Sequence, residues 1–292
     1  MSVLRNLNTT LTDELFTTKG AERKIVGYDH LYRARDTKGT LTGYENYANT
    51  MYFMYDVEGD NLIRKGFGMG ITQFRSDYDD DSDRKDLMVQ AFVPVSYIND
   101  KGMSFASIAR FGYSDGEYER HTSDGMYESD LTSWIYGLSN AVRYGFDFGG
   151  LIVEPTAEFN VLGYYQNRIR ENNNKAMSIK ADAENNLSVE MGLGVNIRKD
   201  VKLNEHSSLS FNANAMYYHE FAKPYHSLEA SMHGMDGKYV ITDYENIYDR
   251  DRAMLSLGLD YNYKPFTFYG KFKQFIEDEN PFEANAGIKY NF

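Results

Sequence analysis

The sequence predicts an all-β protein, a 12-stranded antiparallel up-and-down transmembrane β-barrel with an N-terminal α-helix in its lumen. Three observations point there. Apolar and polar residues alternate along nearly the whole chain, the segments so defined run to 11–20 residues, and aromatics are oversupplied, with 25 Tyr and 18 Phe against one Trp. Successive side chains of a strand point to opposite faces, so strict alternation marks one apolar and one polar face. Strands of globular sheets usually run to about 5 or 6 residues, whereas a strand crossing a bilayer needs about 10. Tyrosine and phenylalanine suit the girdles that such barrels place at both membrane interfaces.

The first element differs from the rest. In SVLRNLNTTLTDELFTT, Ser2 to Thr18, Leu4, Leu7, Leu11 and Leu15 recur at helical spacing, with Asn6, Asn8, Thr, Asp and Glu between them. About 16 helical residues span ~24 Å, close to the height of a membrane core. Such a helix either packs on a partner or threads the barrel. Eight strands close on a bore filled by side chains, while 16 or more leave an aqueous channel. Twelve lie between, with room for about one helix, so residues 1–20 are expected to thread the lumen of a barrel formed by residues 21–292.

Counting back from Phe292, twelve strands fall at 22–36, 45–57, 62–76, 86–98, 102–119, 127–146, 151–170, 184–199, 207–222, 250–263, 265–277 and 282–292. GFGMGITQF from Gly66 turns Phe67, Met69 and Ile71 outward. LSVEMGLGVNIR, Leu187 to Arg198, keeps one parity apolar throughout. LSFNANAMYYHEF from Leu209, AMLSLGLDYNY from Ala253 and the terminal NAGIKYNF behave alike. Short connections at 58–61, 99–101, 147–150, 201–206 and 264–265 alternate with longer polar ones at 37–44, 77–85, 120–126, 171–183 and 223–249, and a tighter one at 278–281. Barrels of the bacterial outer membrane alternate short periplasmic turns with longer extracellular loops in this way.

A soluble β-sandwich or lipocalin-like barrel is the competing fold. Strand length, the even strand count with short turns on one side, and glycines on the polar face (Gly66, Gly68, Gly70, Gly192, Gly194, Gly258, Gly287) count against it. A net charge of −12 excludes a nucleic-acid surface, because no basic stripe exists to neutralise phosphates. No cysteine is present, which excludes disulfides and thiolate metal sites. No signal peptide opens at Met1, so a mature or truncated chain with an added Met is expected.

Parity also sets the lumen chemistry. Glu154, Glu158, Arg143, Arg198, Glu220 and Lys271 are expected to face inward, the carboxylates pairing with Arg143, Arg198, Lys271 or Lys273, because buried charges need partners. His219 and Glu220 are neighbours in a strand and face opposite ways, so they form no site. DYDDDSDR, Asp77 to Arg84, lacks the glycine turn and distant glutamate of an EF-hand and reads as a solvated loop. No GxSxG, HExxH or P-loop pattern occurs, and no cofactor or metal is expected.

YYHEF (Tyr217 to Phe221), LIVEPTAEFNVLG (Leu151 to Gly163) and LSLGLDYNY (Leu255 to Tyr263) resemble segments of the C-terminal translocator domain of autotransporters, the type V secretion proteins of Gram-negative outer membranes. The resemblance spans the chain. It implies a monomeric translocator and anchor in outer-membrane lipid, with no enzymatic activity of its own, that exports an N-terminal passenger. It also implies handling by periplasmic chaperones and the barrel-assembly machinery. NAGIKYNF is similar to the signal read by that machinery, with Asn285, Gly287, Tyr290 and Phe292 in its places, and the last strand is expected to close against the first near Ile25 to Tyr32. Some relatives cut the linker through an Asn-Asn pair assisted by wall carboxylates, for which Glu154 and Glu158 are the counterparts. Arg5 stands where the first Asn would be, before Asn6-Leu7-Asn8, which argues against cleavage here. The rival readings are a porin or plugged channel, an outer-membrane hydrolase, and an adhesive surface centred on the 223–249 loop.

Overall fold

The structure, a computed structural model, describes residues 2–16, 21–37, 42–59, 62–99, 102–171, 177–222, 228–233, 237–242, 250–277 and 281–291, and within these the side chains of all but 2–6, 8, 228, 229 and 239–242. Helix α1 spans Ser2–Leu15. Twelve strands follow: β1 (Glu22–Arg35), β2 (Tyr44–Glu58), β3 (Ile63–Tyr78), β4 (Asp83–Ile98), β5 (Met103–Thr122), β6 (Gly125–Tyr144), β7 (Leu151–Gln166), β8 (Glu184–Lys202), β9 (Ser207–Glu220), β10 (Asp251–Tyr263), β11 (Phe266–Ile276) and β12 (Phe282–Asn291). Each pairs antiparallel with its neighbour in sequence, and β12 returns to pair with β1, with Val26 opposite Ile288 and Gly27 opposite Gly287. The sheet therefore closes on itself and leaves no edge, the condition under which strands can cross lipid.

The apolar face points out. Phe67, Met69, Ile71, Val89, Phe111, Leu193 and Leu257 are exposed, while Thr50, Thr72, Gln90, Ser133 and Asn160 are buried. A soluble barrel reverses this distribution, so the β-sandwich alternative is set aside. Aromatics gather in two rows. Near the short turns, Phe266, Tyr290, Lys24, Tyr55 and Phe67 stand opposite one another in succession across five strands, with ring centroids 5.0 Å (Phe266–Tyr290) and 5.7 Å (Tyr55–Phe67) apart. Towards the loops, Tyr32 meets Tyr47 at 5.2 Å and Phe282 at 5.3 Å. Eight residues separate Phe282 from Tyr290, about 27 Å along the strand. On a tilted strand that matches an apolar band about 25 Å tall.

The loop side departs from expectation. Residues 120–126 and 77–85 are not long loops: β5 and β6 continue to a two-residue turn at 123–124, and β3 and β4 close over 79–82. Above the membrane the outer face no longer has to be apolar, so Asp115, Glu117 and Glu119 stand outward opposite Thr132, Asp130 and Glu128 while the ladder goes on. Polarity there marks the end of the bilayer and not of the strand. The stretches 171–183 and 223–249 supply a separate small sheet, with Ile179–Ala181 between Ile169–Arg170 and Leu228–Met232, and Tyr239–Thr242 on the far side of the last. The expected seventh strand accordingly stops at Gln166. Arg120 fastens this sheet to the barrel through Glu171, at 2.7 and 2.9 Å.

Candidate functional site: the helix in the lumen

Leu7, Leu11 and Leu15 lie four residues apart and form one stripe on α1. They are buried against Ile25, Met54, Phe92, Ile108 and Tyr269 of the barrel wall. The predicted lumenal residues Leu4, Asn6 and Asn8 have side chains outside the described residues, and with them lies the Asn-x-Asn question.

Among the described side chains the rest of the helix is polar and buried, at Thr9, Thr10, Thr12, Asp13 and Glu14. Asp13 and Glu14 sit in its last turn, where the unsatisfied carbonyls carry partial negative charge and carboxylates are unfavourable. The last turn of the helix carries no basic residue to offset them. The barrel supplies the compensation. Arg143 of β6 pairs with Asp13. Lys271 Nζ lies 2.7 Å from Glu14 Oε1, and Lys289 Nζ lies 2.6 Å from its Oε2. Arg23 donates from Nη1 to the Leu15 carbonyl at 3.1 Å, capping the helix end. Lys273 donates to Thr10 Oγ1 at 2.5 Å and pairs with Glu283 at 3.0 Å.

The anticipated inward charges occupy the lumen side, but with other partners than expected. Arg143 and Lys271 bind the carboxylates of the helix, Lys273 binds Glu283, and Arg198 faces Asp200 at 3.6 Å. Glu154 instead accepts from Asn196 Nδ2 at 2.5 Å, and Glu158 from the Tyr218 hydroxyl at 3.0 Å. Glu220 accepts from Ser188 and from the backbone N–H of Val189 at 2.7 Å. The helix brings two carboxylates into the bore within reach of Arg143, Lys271 and Lys289. His219 points away from Glu220 and meets Asp251 at 2.6 Å on the outer face.

Among the described residues, buried ion sites that were not anticipated include two on the wall. Arg252 forks onto Glu190 at 2.7 and 2.8 Å and stacks over Tyr218 and Phe275. Asp56 is shared by Arg23 and Arg64, the latter at 2.7 Å. Each member sits at an inward parity, which was the available signal, but Glu190 and Arg252 lie on strands separated by β9, and only the assembled wall brings them together.

Of the anticipated assembly signal, Asn285 and Gly287 face the lumen and Tyr290 faces outward on Phe266, while Phe292 lies outside the described residues. Gly287 and Gly27 form a bare patch of wall at which Tyr52 of β2 and Tyr269 of β11 meet, hydroxyl to hydroxyl at 2.9 Å. A Cβ on Gly287 would stand 2.4 Å from the Tyr269 hydroxyl. Asn285 Nδ2 completes the group by donating to the Tyr52 hydroxyl at 3.1 Å.

Beside the foot of the helix is a cavity of about 20 Å³ lined by Asp13, Phe16, Arg143, Glu154, Arg198 and Lys271 among others. That is room for about one water. The acidic stretch from Asp77 to Arg84 is engaged in local contacts, with Asp77 on Arg75 at 2.9 Å, Asp83 on Lys85 at 2.6 Å and Asp80 on the Ser82 N–H at 3.1 Å.

Solved structures share this fold. The translocator domain of the autotransporter NalP from Neisseria meningitidis superposes with a TM-score of 0.78 at 12% identity, over 100% of this chain and 95% of that one. The β-domain of the Bordetella autotransporter BrkA gives 0.72 at 17% identity, over 94% and 100%. The transport unit of AIDA-I from Escherichia coli gives 0.54 at 11% identity, over 98% and 97%. No curated protein sequence matches the chain. The family described as autotransporter beta-domain matches residues 26–273. With that match covering most of its length, the chain belongs to the autotransporter β-domain family, whose barrels reside in the outer membrane.

Proposed function

We propose that residues 21–292 form the translocator and membrane anchor of an autotransporter and that residues 1–20 are the linker to its passenger, left in the lumen when export ends. The observation that supports this reading most is the seating of α1, with Glu14 fully buried between Lys271 and Lys289. A helix merely adsorbed to the barrel would not place an ionised carboxylate where only the wall can neutralise it. The barrel works as a monomer, reached through periplasmic chaperones and the barrel-assembly machinery, and needs no cofactor. Glu154, Glu158, Glu220, Arg143, Arg198 and Lys271 act as lumen structure and not as reaction groups. With Arg5 before Asn6, self-cleavage inside the barrel through an Asn-Asn pair is not expected.

The test is a reporter fused ahead of Ser2, behind a secretion signal, in a Gram-negative host. Reporter cleaved by protease added to intact cells, and still joined to the barrel in untreated cells, is the expected result. A barrel inserted in the outer membrane with the reporter protected in the periplasm would overturn the translocator reading. Release of free reporter by cleavage near Asn6 would overturn only the expectation of no self-cleavage.

A further inference from the structure

Eleven of the twelve strand pairings join neighbours in sequence; the twelfth, β12 with β1, joins the two ends of the barrel. This seam has ten residue pairs, against twenty in β5–β6, and at Gly27 facing Gly287 its lumen side has no side chain of its own and is covered by Tyr52 and Tyr269 from the flanking strands. No turn holds it in register. The last turn of α1 reaches both sides of it. From β1, Arg23 donates to the Leu15 carbonyl while its other nitrogens hold Asp56. From β12, Lys289, directly opposite Ile25 of β1, reaches Glu14 at 2.6 Å, and Glu283 accepts from Thr10. Glu14 and Lys289 are both completely buried.

We propose that α1 has a further function: its last turn is a clasp across the β1–β12 seam, with Glu14 as the residue through which helix docking and lateral closure of the barrel become one event. The physical reason is charge. Removing Glu14 strips the buried Lys289 of the carboxylate that touches it, leaving Asp260 as a remaining carboxylate that acts on it, and Glu14 without the wall is a carboxylate at the wrong end of a helix dipole. Each is stable only when helix and closed seam coexist. The consequence, that the barrel locks once the linker has arrived, rests on the translocator reading; the clasp itself does not.

The experiment is amide hydrogen exchange on the full chain folded in detergent. Glu14→Gln keeps the shape and removes the charge that holds Lys289. Seam amides, 24–32 and 283–290, should exchange about tenfold faster or more, while those of β5 and β6 stay within about twofold. Arg143→Gln frees Asp13 from β6, far from the seam, and should leave seam protection unchanged. A disulfide between Val26→Cys and Ile288→Cys, opposite one another on the outer face of a chain without native cysteine, should restore the heat resistance of the Glu14→Gln form. Uniform loss of protection, equal seam opening by Arg143→Gln, or a Glu14→Gln seam as protected as the parent's would each overturn the clasp. Should Glu14→Gln fail to fold, recovery of folding by the disulfide supports the proposal and failure of the stapled chain sinks it. Surface display of a fused reporter is read separately, so a closed seam with failed export counts against the translocator and not the clasp.

Discussion

At the scale of single residues, the lumen wall is controlled by what is missing at Gly287 and by what is paired at Arg252. A valine at 287 would force its Cβ to within 2.3 Å of the Val26 carbonyl as well as onto Tyr269. Backbone cannot yield as a flexible side chain can, so Gly287→Val should cost at least the roughly 1–3 kcal/mol of an overpacked core and lower the yield of heat-modifiable barrel. The parent yield retained would show that the tyrosine pair is not seated there. Arg252 makes the opposite case. Arg252→Met leaves Glu190 buried without its partner, which costs about 3–5 kcal/mol, whereas Arg252→Met with Glu190→Gln removes both charges and should recover most of that. Equal destabilisation by single and double variants, measured by thermal unfolding in detergent, would mean that Arg252 contributes packing against Tyr218 and Phe275 rather than charge. Neither site was legible alone. Gly287 could be read as facing the lumen, but its contact with Tyr269, directly opposite on the adjacent strand, and Arg252's with Glu190, one strand away, depend on inter-strand register that no local pattern encodes.

At the scale of elements, alternation specified nearly everything inside the membrane. Strand limits from parity agree with the structure to within a few residues, since each side chain there has one solvent to face. The same signal failed where lipid ends. Across 120–126, beyond the lipid, the outer face no longer has to be apolar, alternation fades, and a continuing hairpin reads as a loop. The sheet built from 169–242 was illegible for a further reason: its strands are two to five residues long and pair across loops distant in sequence. The helix was legible as an amphipathic stripe, but which wall cations it would meet depended on its rotation in the bore. Its fit yields a direct prediction. With a cavity of about 20 Å³ beside it, the full chain in a planar bilayer should show little steady conductance, and removal of residues 2–18 should open discrete channels of stable amplitude. Equal conductance from both proteins would place the helix outside the bore and favour the porin alternative.

At the scale of the whole molecule, closure is what distinguishes this chain from a soluble sheet of the same composition. Each strand pairs with a neighbour on both sides, so unfolding cannot begin at a free edge and detergent finds no strand to peel. The folded protein should therefore migrate anomalously on an SDS gel until boiled. The helix adds a second contribution of a different kind. Without residues 2–18, Lys271 and Lys289 lose Glu14, and Arg143 loses Asp13. A buried cation stripped of its partner costs about 3–5 kcal/mol, and each kcal/mol is worth about 2–4 °C in a chain near this size. Water entering the vacated bore recovers part of that loss. The truncated barrel should still be heat-modifiable but should convert roughly 5–15 °C below the full chain. High salt should narrow the gap, because ions follow water into an open lumen and screen the exposed lysines. If the truncated and full chains convert at the same temperature, the helix contributes nothing net to stability and its ion pairs only cancel the cost of burying them. If neither protein is heat-modifiable, the closed barrel itself is wrong, because no open sheet of this length resists SDS while retaining its strands.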